Sequence, residues 1–134
     1  MIRYMLDTNT CIAIIKHPPE TIQARLIDIS VEEVAISSIV AAELFYGVAL
    51  SQKKKQNEMA LKDFLDYVAV LNWPFDACRI YGRLRAELQK KGTPVGAMDL
   101  LIAAHAVLLD AVLVTSNKKE FQRIPNLKIE DWLL

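Results

Sequence analysis

The sequence predicts an α/β domain with a central, mostly parallel sheet covered by helices on both faces. Three observations carry this prediction. Short runs rich in Val, Ile and Leu alternate with segments of helical period, which is the pattern of a parallel sheet with crossover helices. The 134 residues are enough for one domain, spanning 1–134, with a buried core. A hydrophobic fraction of 53% with 24% charged residues and four glycines describes an ordered globule rather than a disordered tail.

The elements follow in order. Residues 2–6 read as a short buried strand, and the segment from Asp7 to the Pro18-Pro19 pair as a short helix that the prolines end. A second helix is expected over 20–29, with Ile22, Leu26 and Ile29 on one face. Residues 34–37 form the second strand, and Ser37 or Ser38 can cap the helix over 39–50. The lysine-rich SQKKKQNE opens another helix, with Met59, Leu61, Phe64 and Leu65 as its apolar positions. Residues 67–73 form a third strand stopped by Pro74, and 75–91 a long amphipathic helix with Asp76 as cap and Gly92 as stop. After the loop GTPVG, residues 98–109 are apolar nearly all round, as in a buried helix. A strand over 111–115, a short helix over 118–122 and a last strand over 127–129 complete the chain.

Bulk properties narrow the function classes. Sixteen basic and sixteen acidic residues cancel, so no overall basic charge advertises nucleic-acid binding. Cys11 and Cys78 lie far apart with no zinc-ligand spacing, and both are expected to be buried and reduced. No apolar run reaches the roughly 20 residues that span a bilayer. The longest, over 100–114, is broken by His105 and Asp110. The amino terminus lacks a charged segment followed by an apolar one, so a cytoplasmic protein is expected.

Four acids stand out because each lies beside a core-forming run: Asp7, Glu43, Asp99 and Glu120. A carboxylate in such a place is costly unless it is paired, hydrogen-bonded or bound to a cation. In a parallel sheet, ligands bind beyond the carboxyl ends of the strands. Asp7 directly follows the first strand, and Thr115, Ser116 and Asn117 follow the strand over 111–115, with Glu120 a turn further. Each acid also has a plainer reading. Asp7 and Asp99 could be helix caps, Glu120 a solvated turn residue, and Glu43, on the stripe expected to face the core, half of a buried salt bridge. As a group the four fit hard divalent cations, Mg²⁺ or Mn²⁺, which take carboxylate oxygens and water and promote phosphodiester hydrolysis.

Other chemistries fit less well. No GxSxG elbow, GxGxxG or P-loop occurs, and His17 and His105 have no evident nucleophile partner; His105 is expected to be a satisfied core residue. A dehalogenase-type phosphatase needs a second Asp where this chain has Asn9, and a receiver domain needs an Asp after its third strand, where VAVLNWPF has none.

The segments MLDTN, SSIVAAELFYG, GTPVGAMDLLIAAHA and VLVTSNKKEFQRI, with IEDW near the end, resemble the PIN-domain ribonucleases, specifically the VapC toxins of bacterial toxin–antitoxin pairs. The resemblance covers the whole chain in the family's order and implies a PIN-like three-layer fold. It implies that Asp7, Glu43 and Asp99 are metal-binding acids. Many relatives carry a fourth acid in a Thr-Asn-Asp triplet; here the triplet is Thr115-Ser116-Asn117, and Glu120 is the nearest substitute. Asn9 would orient Asp7 or a water, with Thr115 in a similar supporting role and Asn117 in the place of the missing acid. The implied activity is a magnesium- or manganese-dependent endoribonuclease that inhibits translation by cutting structured RNA. The enteric members point to the anticodon loop of initiator tRNA, with water attacking phosphorus in line to leave 5′-phosphate and 3′-hydroxyl ends.

Lys53, Lys54, Arg83, Lys118 and Lys119 are candidate phosphate contacts. The resemblance further implies a homodimer, formed near Phe45, Tyr46 and Leu50, and neutralisation by a VapB-type antitoxin whose carboxy-terminal segment covers the acids. Two rivals remain: a PIN nuclease of RNA maturation, and a non-catalytic PIN-like binding module.

Overall fold

The computed structural model describes residues 1–133. Among these, five strands form one sheet in the order β3-β2-β1-β4-β5, with every pairing parallel. The strands are β1 (Tyr4–Leu6), β2 (Val34–Ser37), β3 (Ala69–Leu71), β4 (Val112–Val114) and β5 (Lys128–Glu130). The helices are α1 (Thr8–Lys16), α2 (Glu20–Ile27), α3 (Ser38–Leu50), α4 (Lys54–Tyr67), α5 (Ala77–Lys90), α6 (Ala97–Leu109) and α7 (Lys118–Phe121). β2 and β3 are added on one side of β1, β4 and β5 on the other. With right-handed crossovers, α1 to α4 cover one face of the sheet and α5 to α7 the opposite face. The order therefore reverses between β1 and β4, and a crevice opens there beyond the strand ends.

β1 and β2 are buried at every position, as expected for central parallel strands packed on both faces. The core joins Leu6, Ile36, Leu44, Leu61, Leu88, Leu100, Ile102, Leu113 and Phe121. At its far side Trp132 stacks edge-on against Tyr4, with ring centroids 5.2 Å apart.

The expected elements are present, with boundary shifts that have local causes. α3 begins one residue early because Ser37 serves as its N-cap, accepting the Ile39 N–H at 3.2 Å. Asp76 occupies the N-cap position of α5, but its side chain makes no capping hydrogen bond. α5 ends in a full Schellman motif: Gly92 at φ +71°, Thr93 N–H on Leu88 O at 2.9 Å and Gly92 N–H on Gln89 O at 3.1 Å.

Three sequence expectations are corrected. Cys78 is exposed, because it lies on the outer side of α5, while Cys11 is buried as expected; neither is in a disulfide. His105 is buried, but its Nδ1 has no hydrogen-bond partner among the described residues, so it is not a satisfied core histidine; burial lowers its pKa. Met59 is exposed rather than part of the α4 core face.

Candidate active site at the β1/β4 crevice

Asp7 is the first residue past β1 and is only 5% exposed. It does cap α1, its Oδ1 accepting the Thr10 N–H at 2.9 Å. Its other oxygen, Oδ2, accepts the hydroxyl proton of Thr115, the first residue past β4. Thr115 Oγ1 in turn accepts the Asn117 N–H at 3.0 Å. The Asp7 N–H reaches Val114 O at 3.0 Å, and Thr10 Oγ1 donates to the same carbonyl at 3.1 Å. Capping and site-building are thus one arrangement, and the ends of β1 and β4 are locked together through it.

Glu43 lies in the second turn of α3. It is half-buried rather than core-facing, and it is in no ion pair among the described residues, so the salt-bridge reading does not hold. Thr8 Oγ1 donates to Glu43 Oε1 at 2.6 Å, which fixes this acid against the start of α1. Trp73 ties the supporting helices together: its N–H donates to Ser38 Oγ at 3.0 Å and its Nε1–H to Leu101 O at 2.7 Å. The helix that carries Glu43 is thereby held in register with the helix that carries Asp99.

Asp99 is not the cap of α6. The helix starts at Ala97 with Gly96 as N-cap, which places Asp99 at the third helical position. An acid there ordinarily reaches back to the N-cap N–H, completing a capping box. Here Glu120 Oε1 takes the Gly96 N–H at 2.9 Å from α7 instead. Asp99 is thus relieved of that bond. Its pKa is raised to about 6 by burial first, then by the charges of Glu120 and Glu43, a hydrogen bond with Glu120, and the charge of Asp7. The other three acids therefore all bear on Asp99.

Glu120 itself is held in its charged form. Its pKa is lowered, chiefly by the Gly96 N–H, with help from Asn117 Nδ2, which donates to its Oε2 at 3.2 Å. Arg123 Nη1 adds a bond to Pro94 O at 3.1 Å, so α7 and the turn after it clamp the loop before α6 at two points. Glu120 is no solvated turn residue, and both of its oxygens are engaged by the protein.

The supporting residues divide. Thr115 touches Asp7, and Asn117 touches Glu120. Asn9, expected to orient Asp7, is exposed, and no hydrogen bond joins the two among the described residues; the Thr10 N–H and the Thr115 hydroxyl take the Asp7 oxygens instead. Thr8 was not foreseen, because its partner Glu43 is 35 residues away. The only local signal is a hydroxyl residue directly after the strand-end acid. Lys53, Lys54, Arg83, Lys118 and Lys119 are exposed and in no ion pair among the described residues.

No three His, Cys, Asp or Glu side chains among the described residues converge closely enough to cage an ion by themselves. The donor set, carboxylates with hydroxyls in support, would suit a hard divalent cation that keeps several of its waters.

Comparison with known proteins agrees with this fold. The PIN domain family matches residues 4–127. Ribonuclease VapC2 of Rickettsia felis is 48% identical over 130 residues, covering 96% of this chain and 97% of that protein. The chain belongs to the VapC ribonucleases of the PIN-domain family. A second VapC relative, the tRNA(fMet)-specific endonuclease VapC of Salmonella typhimurium, is 44% identical over 132 residues, covering 98% of this chain and 99% of that one. The crystal structure of DNA-bound VapBC from Salmonella typhimurium superposes with a TM-score of 0.93 at 44% identity, over 98% of this chain and 99% of the other. VapBC2 from Rickettsia felis, bound to a DNA fragment from its promoter, gives 0.91 at 46% identity, with 98% and 99% coverage. Like these VapC proteins, the chain has the PIN α/β fold, and among the described residues no helix is long and apolar enough to cross a membrane.

Proposed function

We propose that this chain is the toxin of a type II toxin–antitoxin pair. It acts as a Mg²⁺- or Mn²⁺-dependent endoribonuclease that cuts the anticodon loop of initiator tRNA and so stops translation. The observation that carries the reading is the gathering of Asp7, Glu43, Asp99 and Glu120 from four separate elements, with the Asp99 pKa pushed up to about 6 by burial and the neighbouring acids. Hydroxyl and amide donors brace Asp7, Glu43 and Glu120, while Asp99 has none among the described residues, and such a set of like charges is relieved by a bound cation. The substrate follows from the 44% identical relative named for tRNA(fMet), and the antitoxin from the VapBC complexes.

Asp7, Glu43 and Asp99 would hold the metal, one or two of them directly and the rest through its waters. When bound, such an ion supplies Lewis-acid stabilisation of the charge that builds on the phosphoryl oxygens. The chain's own residues set the geometry. Thr115 and the Thr10 N–H fix both Asp7 oxygens, Thr8 fixes Glu43, and Glu120 with Arg123 fixes the loop that aims Asp99. The exposed lysines at the start of α4 and on α7 bind flanking phosphates and offset the local acidity. Phe45, Tyr46 and Leu50 leave an apolar strip on α3, 48%, 65% and 68% exposed, which pairs with a second copy to form the homodimer.

Brief induction in cells followed by mapping of new RNA 5′ ends tests the reading. Cuts confined to the anticodon loop of one tRNA are expected. Cuts scattered over messenger RNA, or none above background, would contradict it.

A further inference from the structure

We propose that the cavity between α1, α3 and α4 receives one unstacked base of the RNA, beside the phosphate that is cut. This rests on the ribonuclease reading above and adds a specificity site to it. The cavity has a volume of about 220 Å³ and is walled by the aliphatic side chains of Ile12, Ile15, Leu44 and Leu61. Glu43 lines it as well, so the cavity opens directly off the acid cluster.

α3 presents Glu43 and Gly47 four residues apart on one face, with Ser51, its C-cap, beyond them, and all three line the cavity. Glycine in a helix interior is unfavourable for the backbone. A Cβ added at Gly47 would meet nothing within 4 Å, so this wall of the cavity is open space that a larger side chain would fill.

The polar lining suits a base. Ser51 Oγ is spent on Val48 O at 2.7 Å, whereas the exposed Asn57 carboxamide makes no hydrogen bond among the described residues. It offers one donor and one acceptor face to a base edge, the pairing that reads bases elsewhere. Lys16, exposed at the end of α1, stands ready for the adjoining phosphate.

Protein readers of RNA act mainly on single-stranded loops, whose unstacked bases can be splayed out. The volume is below the range of about 300–1,000 Å³ typical of larger ligands, so one ring system fits. A second cavity, of about 500 Å³ between α1, α2 and α4, includes none of the four acids.

The test uses the full chain and an RNA hairpin of the initiator-tRNA anticodon arm, with each loop nucleotide in turn made abasic, under single-turnover conditions with Mg²⁺. One abasic position next to the cut should slow the wild type by about tenfold, the scale of one lost pocket contact. Gly47→Leu should slow the intact hairpin to a similar degree, with no further loss on that abasic hairpin. Asn57→Ala, on the surface and harmless to folding, should change which base is preferred there.

Equal rates on every abasic hairpin, or penalties of Gly47→Leu and the abasic site that multiply, would overturn the base pocket while leaving the nuclease reading intact. Wild-type cleavage rates in Gly47→Leu and Asn57→Ala, with escape from antitoxin inhibition, would assign the cavity to a protein segment and overturn it too. No cleavage by the wild type would remove the nuclease reading and the pocket together.

Discussion

Thr115 has no exposed surface, gives its hydroxyl proton to Asp7 Oδ2 and accepts the Asn117 N–H. Replacing it with valine keeps the shape and removes both bonds from a buried carboxylate. Thr115→Val should therefore lower cleavage by about 10–100-fold, the usual effect of losing a group that orients a metal ligand. It should also cost about 1–3 kcal/mol in urea unfolding, while Thr115→Ser retains most of both; wild-type cleavage by the valine variant would contradict this role. Asp99 makes a prediction of opposite sign. A carboxyl whose pKa is higher folded than unfolded opposes folding once ionised. That penalty is absent below the ordinary value of 3.8, grows as pH rises towards about 6, and is complete above it. Asp99→Asn should then raise the melting temperature of the metal-free protein at about pH 7.5, with the gain fading below about pH 4. A lower melting temperature at neutral pH would show that Asp99 is not strained by its neighbours.

Among the elements, the turn from α5 to α6 decides where Asp99 points. Gly92 holds φ +71°, where an L side chain is strained, so Gly92→Ala should destabilise the fold by about 1–2 kcal/mol. An unchanged urea midpoint would mean that the loop adapts without cost. This turn also shows what the sequence could and could not reveal. Gly92 after a lysine-ended amphipathic run was a clear stop, and β2 was legible residue for residue from its Val-Ala-Ile-Ser run between turns. The start of α6 was not, because it depends on Glu120, 24 residues away, taking the Gly96 N–H. α3 is apolar all round, so its period could not say which face is covered, and Glu43 emerges half-buried at the site rather than in the core. Asp7, Glu43 and Asp99 were legible because a carboxylate inside an apolar run needs a reason. Thr8, and the Thr10 N–H and Thr115 rather than Asn9 as the partners of Asp7, were not, since such pairing is decided by which strands and helices meet in space.

At the scale of the whole molecule, a chain of zero net charge gathers acids at the β1/β4 crevice and leaves Lys53, Lys54, Lys118 and Lys119 exposed and without ion-pair partners among the described residues. If these lysines contact a polyanionic substrate, binding should weaken with added salt. The apolar strip on α3 adds an assembly prediction. Leu50→Glu or Tyr46→Glu should convert the protein from dimer to monomer in multi-angle light scattering without altering its melting curve, whereas an unchanged mass would place the dimer contact elsewhere. The central claim is that the converging acids form a metal-dependent nuclease centre. Cleavage of initiator tRNA by the wild type, Glu43→Gln and Asp99→Asn, each with Mg²⁺ and with EDTA, tests it most directly. The account predicts a cut by the wild type in Mg²⁺ alone and no cut by either variant, although both bind the tRNA and melt cooperatively. Cleavage that survives EDTA, or that persists in either folded variant, would contradict it.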